Sequence, residues 1–161
     1  MTTDAVVIGA GGFGRGVLDV IEAHNAAHPD AGIRVLGVAD DAPDPANLDR
    51  LHDRDYRYLG TVGDVIAEAV CNRYVLAIGS PPVLARIDAR MSAAGWRPLS
   101  VVHPTAVVGS VPVIGEGTIL CAGVTTSTNV KFGRHVHLNL NVAAGHDVVF
   151  GDYVQVNPGA L

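Results

Sequence analysis

The sequence predicts two units in series: a Rossmann-like α/β domain with a small parallel sheet over residues 1–100, then a parallel β-helix of about three coils over residues 101–161. Three observations carry this. Strand-like and helix-like segments alternate up to Trp96, the βαβ pattern of a parallel sheet. The first loop of that pattern reads GAGGFG. From Val108 onward the chain repeats every six residues.

In chain order, AVVIG, IRVLGVAD, a short YRYLG and YVLAIGS read as buried strands bounded by glycine or acidic turn residues. Helices fit between them. Val17, Leu18 and Ile21 form one helical stripe, Thr61-x-x-Asp64 resembles a capping box ahead of Val65, Ile66 and Ala69, and a helix from Pro82 to Ala94 stops at Gly95. Gly9, Gly11 and Gly14 stand in GxGxxG spacing, directly after a strand and directly before a helix. Such a loop lets backbone N–H groups at a helix N-terminus approach phosphate oxygens, so Gly9, Gly11, Gly12, Phe13 and Gly14 are candidate substrate-binding residues. Asp40 and Asp41 end the next strand, where a carboxylate can meet a ribose hydroxyl. The plainer reading is that the glycines only close a strand-to-helix turn. About a hundred residues supply one half of a doubly wound sheet, so the mononucleotide part of a ligand fits better than a dinucleotide.

In the second unit, the column Val108, Ile114, Leu120 and onward to Val156 is large and apolar at seven of nine positions. The column two residues earlier is small or β-branched, and the column one residue later holds Gly or Asn at seven of nine positions, from Gly109 to Asn157. The last is expected to carry the left-handed backbone of the turns. Three flat faces per coil, each stacking on itself, make a prism whose apolar columns point inward. Each large aliphatic side chain buried there contributes roughly 1.5–3 kcal/mol before conformational entropy is set against it.

Composition narrows the function classes. The chain has 161 residues, 48% of them hydrophobic, and no apolar run approaching a membrane span or a basic leader, which reads as a soluble, cytoplasmic protein. Its 11 Lys and Arg against 16 Asp and Glu, a net charge of −5, leave no electrostatic footprint for nucleic acid. Cys71 and Cys121 are far apart and without CxxC spacing, so they are expected to be packing residues.

In register, Ala144 points inward and Gly145 takes the turn column, so His146 and Asp147 fall just past a corner with no reason to be buried. An imidazole there can take a proton near neutral pH, as a base acting on an amine or hydroxyl must; a solvated loop histidine is the alternative. His103, before Pro104 at the domain junction, reads as a hinge or packing residue, with a site role as the alternative. His135 and His137 flank inward Val136 and should project from one outer face, but the spacing expected of a three-histidine metal site is missing, so no metal is expected.

The order AVVIGAGGFG, GVADD, YLGTVGDV, LAIGS, VVHPTAVVG and GHDVVFGDYVQVNPGA resembles the hexapeptide-repeat acyltransferases, and within them the sugar acyltransferases similar to sialic-acid O-acetyltransferase and the bacillosamine-pathway UDP-amino-sugar N-acetyltransferase. The resemblance implies a left-handed coil and a homotrimer with active sites between subunits. It also implies acetyl transfer from acetyl-CoA to an amino or hydroxyl group of a free or nucleotide-linked sugar such as a UDP-sugar. His146 would be the general base, Asp147 and Asn139 would orient or hold the site, and Gly145 and Gln155 would lie on the acetyl-CoA side. Two residues depart from the pattern: Phe13 stands where many relatives have a histidine, and Gln155 where some have a second one. The chain also stops three coils in, where relatives continue, so a truncated end or one covered by another subunit is expected. A non-catalytic nucleotide-binding oligomerisation module is the rival reading.

Overall fold

A computed structural model describes residues 2–161. Its first half is a four-stranded parallel sheet in the order β2-β1-β3-β4, made of β1 (Thr3–Ile8), β2 (Ile33–Ala39), β3 (Arg73–Leu76) and β4 (Arg97–Pro98). Helices α1 (Gly12–Ala27), α2 (Pro45–His52), α3 (Val62–Glu68) and α4 (Pro81–Ala93) connect the strands. Val17, Leu18 and Ile21 pack α1 onto the sheet with Ala5 and Val7, as their stripe predicts. The Thr61–Asp64 capping box forms in both directions, with Thr61 Oγ1 accepting from the Asp64 N–H and Asp64 Oδ2 accepting from the Thr61 N–H.

Two expectations change here. The YRYLG segment is not a strand; only Tyr58 pairs, as a single parallel bridge to Val38. The chain ahead of it instead forms α2, which the sequence reading did not anticipate, capped by Asp44 accepting from the Ala46 N–H with Pro45 at its first position. With one apolar anchor fully buried, Leu51, α2 offers too short a stripe to be read as a period.

The second half is a left-handed parallel β-helix of two-residue strands stacked into three faces. One face holds β5 (Val101–Val102), β8 (Ile119–Leu120), β11 (His137–Leu138) and β14 (Gln155–Val156). A second holds β6 (Val107–Val108), β9 (Thr125–Thr126) and β12 (Ala143–Ala144), and a third β7 (Val113–Ile114), β10 (Lys131–Phe132) and β13 (Val149–Phe150). Leu120, Val124, Val130, Phe132, Val136, Leu138 and Val142 form the inner stack, so both inward columns are as the six-residue period predicts.

The turn column is not. Positive φ falls two residues later than expected, at Val111, Gly117, Gly123, Asn129, His135, Asn141, Asp147, Tyr153 and Gly159. Three glycines of the expected column answer a different constraint: a Cβ at Gly109 would lie 2.5 Å from the Ser127 backbone of the next coil, one at Gly115 would strike the Gly133 carbonyl, and one at Gly133 would meet Asp152, whereas nothing lies within 4 Å of a Cβ at Gly145 or Gly151. Close stacking of coils and left-handed turns both select glycine, and the sequence shows only the sum of the two.

The face carrying β5, β8, β11 and β14 lies against the α/β unit, so Val101, Ile119 and Cys121 share a core cluster with α1. The join is bolted by Asp88 of α4, which is 3% exposed. Its carboxylate accepts from the Tyr74 hydroxyl, from Arg134 through Nε and Nη2 at 2.7 Å each, from the Tyr153 hydroxyl at 2.7 Å and from His135 Nε2 at 2.9 Å. Burial alone would raise this carboxyl, but the bonds from Arg134, Tyr74 and Tyr153 outweigh it and hold it well below the carboxylate range.

This join corrects the expectation for His135 and His137. Both point out of the coil, yet they are 0% and 2% exposed because the α/β unit covers their face. His137 stacks on Phe13 with ring centroids 5.2 Å apart and has no hydrogen-bond partner at either nitrogen.

Candidate active site

The glycine loop divides its tasks. Gly9 has φ +118°, and a Cβ there would sit 2.5 Å from the Ala77 carbonyl oxygen; a Cβ at Gly14 would strike the Gly9 carbonyl. These two close the strand-to-helix turn. Nothing lies within 4 Å of a Cβ at Gly11, and no side chain caps the N-terminus of α1. The peptide groups there are open to an incoming anion, with the helix dipole favouring negative charge. Asp40 shapes the loop itself, Oδ2 accepting from the Ala10 N–H at 2.8 Å and Oδ1 from the Ala42 N–H at 2.9 Å. Asp41 accepts from the Val62 N–H and pairs with Arg90. Gly9, Asp40 and Asp41 line one pocket of about 200 Å³, together with Ile78 and Arg86.

A second cleft, of about 350 Å³, opens between α1 and the β-helix. Gly12, Phe13 and Asp19 line it from α1, and His103, Cys121 and Asn139 from the coils. The structure thus brings Asn139 together with Phe13, not with His146. Sequence reading missed Asp19 as a lining residue and gave His103 a site role only as the alternative to a hinge, since nothing in their spacing links a junction histidine to a helix. Burial pushes the Cys121 thiol up to about 11, consistent with a packing role.

His146 and Asp147 occupy the corner between the β12 and β13 faces, on the edge away from the α/β unit. His146 is exposed, and its Nδ1 lies 2.7 Å from Asp147 Oδ2. Asp147 adopts φ +61°, a left-handed conformation an aspartate tolerates, and its other oxygen accepts from Asn129 Nδ2 at 3.2 Å. The bonds from His146 and Asn129 hold its carboxyl below the usual range, so the carboxylate is ionised at neutral pH. It therefore accepts a hydrogen bond from the Nδ1–H of His146 and leaves Nε2 as the lone-pair nitrogen of the exposed ring. The Asn129–Asp147–His146 ladder runs straight down two coils, because residues eighteen apart stack in register.

Gly145 and Gln155 do not meet. Gly145 precedes His146 at the exposed corner, whereas Gln155 follows His137 in the outward column of the face under the α/β unit. There its Nε2 donates to the Ile78 carbonyl at 2.6 Å. Within one chain the glycine loop and its two pockets lie on one side of the prism, and His146 lies on another. Among the described residues no cluster of His, Cys, Asp or Glu is arranged to hold a metal ion, and no helix is long and apolar enough to cross a membrane.

Comparison with known proteins agrees with this architecture. The chain is 36% identical over 85 residues to GDP-perosamine N-acetyltransferase of Escherichia coli O157:H7, a match spanning 53% of this chain and 38% of that protein. Among solved structures, PerB from Caulobacter crescentus in complex with CoA and GDP-perosamine superposes with a TM-score of 0.81 at 24% identity, covering 96% of this chain and 69% of that one. The acetyltransferase domain of PglB from Neisseria gonorrhoeae FA1090 gives 0.74 at 19% identity, covering 97% and 71%. WeeI from Acinetobacter baumannii AYE gives 0.76 at 23% identity, covering 99% and 71%. At these identities the superpositions establish the fold. Residues 4–91, more than half of the chain, match the PglD N-terminal domain, and the chain belongs to that family.

Proposed function

We propose that this chain transfers an acetyl group from acetyl-CoA to an amino or hydroxyl group of a nucleotide-linked sugar, with His146 as the general base. The carrying observation is the exposed His146 imidazole with Asp147 fixed at its Nδ1, 2.7 Å away, which leaves Nε2 free to accept a proton. The acceptor's nitrogen or oxygen attacks the thioester carbonyl as its proton passes to Nε2; the C–S bond then breaks, and the CoA thiolate leaves and takes up a proton. The Asp147 carboxylate holds the ring at Nδ1, so that Nε2 is the nitrogen presented to the acceptor. In this reading a backbone N–H near Gly145 stabilises the oxyanion of the tetrahedral intermediate. The nucleotide occupies the glycine loop and the Asp40–Asp41 pocket. An amine acceptor is supported by the N-acetyltransferase 36% identical over part of the chain.

Because the loop and His146 lie on different sides of one chain, the reading includes a homotrimer in which His146 of one copy serves the pockets of another. The match spans only 38% of the curated relative's length. The test is CoA release with acetyl-CoA and GDP- or UDP-linked amino sugars. Native protein releases CoA in an acceptor-dependent manner, and His146→Ala loses about 10²–10⁴-fold in turnover with an unchanged melting temperature. An unaltered rate in that variant removes the base, and a monomer by light scattering removes the shared site. Nucleotide binding without any CoA release by the native protein supports the non-catalytic module instead.

A further inference from the structure

The cleft between α1 and the coils contains two hydrogen-bond donors whose direction is set by the backbone. At His103, the Thr105 N–H donates to Nδ1 at 3.1 Å, and the Thr105 hydroxyl lies 2.8 Å from the same nitrogen. That hydroxyl oxygen accepts from the Gly123 N–H at 3.1 Å, so its own hydrogen is free to point at the ring. Nδ1 is thus an acceptor, and the proton of the neutral imidazole sits on Nε2, the remaining polar atom of the ring. Asn139 is arranged in the same way: its Oδ1 accepts from the Leu140 N–H at 2.8 Å, and its Nδ2 amide is the group left to donate. Across the cleft, Asp19 on α1 is held by Arg54 through Oδ1 at 2.7 Å, which leaves Oδ2 to accept. Phe13, Val20 and Leu140 also line the cleft.

Two aimed donors, one acceptor at the mouth and an aromatic surface suit a ligand with polar edges and an apolar C–H face, which is the chemistry of a pyranose ring. The volume of about 350 Å³ lies in the small-molecule range of roughly 300–1,000 Å³. We propose that His103 is a sugar-binding residue whose Nε2–H donates to an oxygen of the acceptor sugar in this cleft. The assignment rests on the sugar-nucleotide reading above and adds to it which group reads the sugar. In this role His103 donates from Nε2, because Thr105 occupies Nδ1.

Calorimetric titration of the full chain with GDP-perosamine and with GDP separates the possibilities. Native protein binds GDP-perosamine more tightly than GDP. His103→Ala weakens GDP-perosamine by about 2- to 10-fold, the span of one neutral hydrogen bond, and leaves GDP affinity unchanged, while His103→Gln, which keeps an N–H donor, recovers part of the loss. Equal weakening of both compounds in His103→Ala, or of neither, overturns the proposal, as does a native protein that binds the two alike. Failure of the native protein to bind either compound or the UDP-linked amino sugars used in the CoA-release assay overturns the sugar-nucleotide reading together with this one, whereas an intact sugar preference in His103→Ala overturns only the role given to His103.

Discussion

Acidification should destabilise this protein through His137, and the size of the effect follows from its surroundings. The ring is 2% exposed, its nitrogens have no partner, and burial pushes it down to about 3, with His135 beside it acting in the same direction. In the unfolded chain the same imidazole titrates near 6.5. The native state therefore holds His137 neutral while the unfolded state binds a proton as pH falls below about 6.5, so stability is complete above that value and declines from there towards pH 3. At pH 5 the unfolded ring is about 1.5 units below its pKa, which corresponds to about 2 kcal/mol, or roughly 30-fold in the folding equilibrium. Urea denaturation of native protein and His137→Phe at pH 7.5 and pH 5 measures it. Phenylalanine keeps the stack on Phe13 and removes the titration, so the variant should lose about 2 kcal/mol less than the native chain on acidification. Equal losses in the two proteins would refute the reasoning. His135, also held below its usual value by burial, leaves a smaller dependence of the same sign in the variant.

Three further outcomes are expected. Asp88→Asn leaves Arg134 with only the exposed Glu116 as a carboxylate partner and removes the acceptor shared by Tyr74, Tyr153 and His135, so it should cost about 2–4 kcal/mol in chemical denaturation; a loss below about 1 kcal/mol would mean that the bolt contributes little. Val111, a β-branched residue at φ +57° and 73% exposed, carries left-handed strain with no packing to offset it. Val111→Asn should therefore raise stability by about 1 kcal/mol, seen as a higher melting temperature, and an unchanged or lower value contradicts that account. Gly9→Ala combines φ +118° with a Cβ 2.5 Å from the Ala77 oxygen, so it should both destabilise the fold by about 1–3 kcal/mol and abolish nucleotide binding by calorimetry.

Much of the fold was legible because its signals are local or periodic. A six-residue period places Leu120, Val136 and Leu138 inside without knowledge of any partner, and the Thr61–Asp64 box is complete within four residues. The glycine loop is local too, as is the His146–Asp147 pair, whose carboxylate sits on the adjacent residue. What the tertiary structure decided is everything that depends on one unit lying against the other. His135 and His137 point outward, as their register requires, and are buried only because α1 and α4 cover that face. Asp88 is one acid in a helix until Tyr74, Arg134, His135 and Tyr153 converge on it from as far as 65 residues away. The same docking separates Gln155 from Gly145 and gathers Asn139, Phe13 and His103 around one cleft. Sequence period determines which way a side chain leaves its own coil; what it then meets is set by contacts between residues distant in the chain, and no spacing rule encodes those.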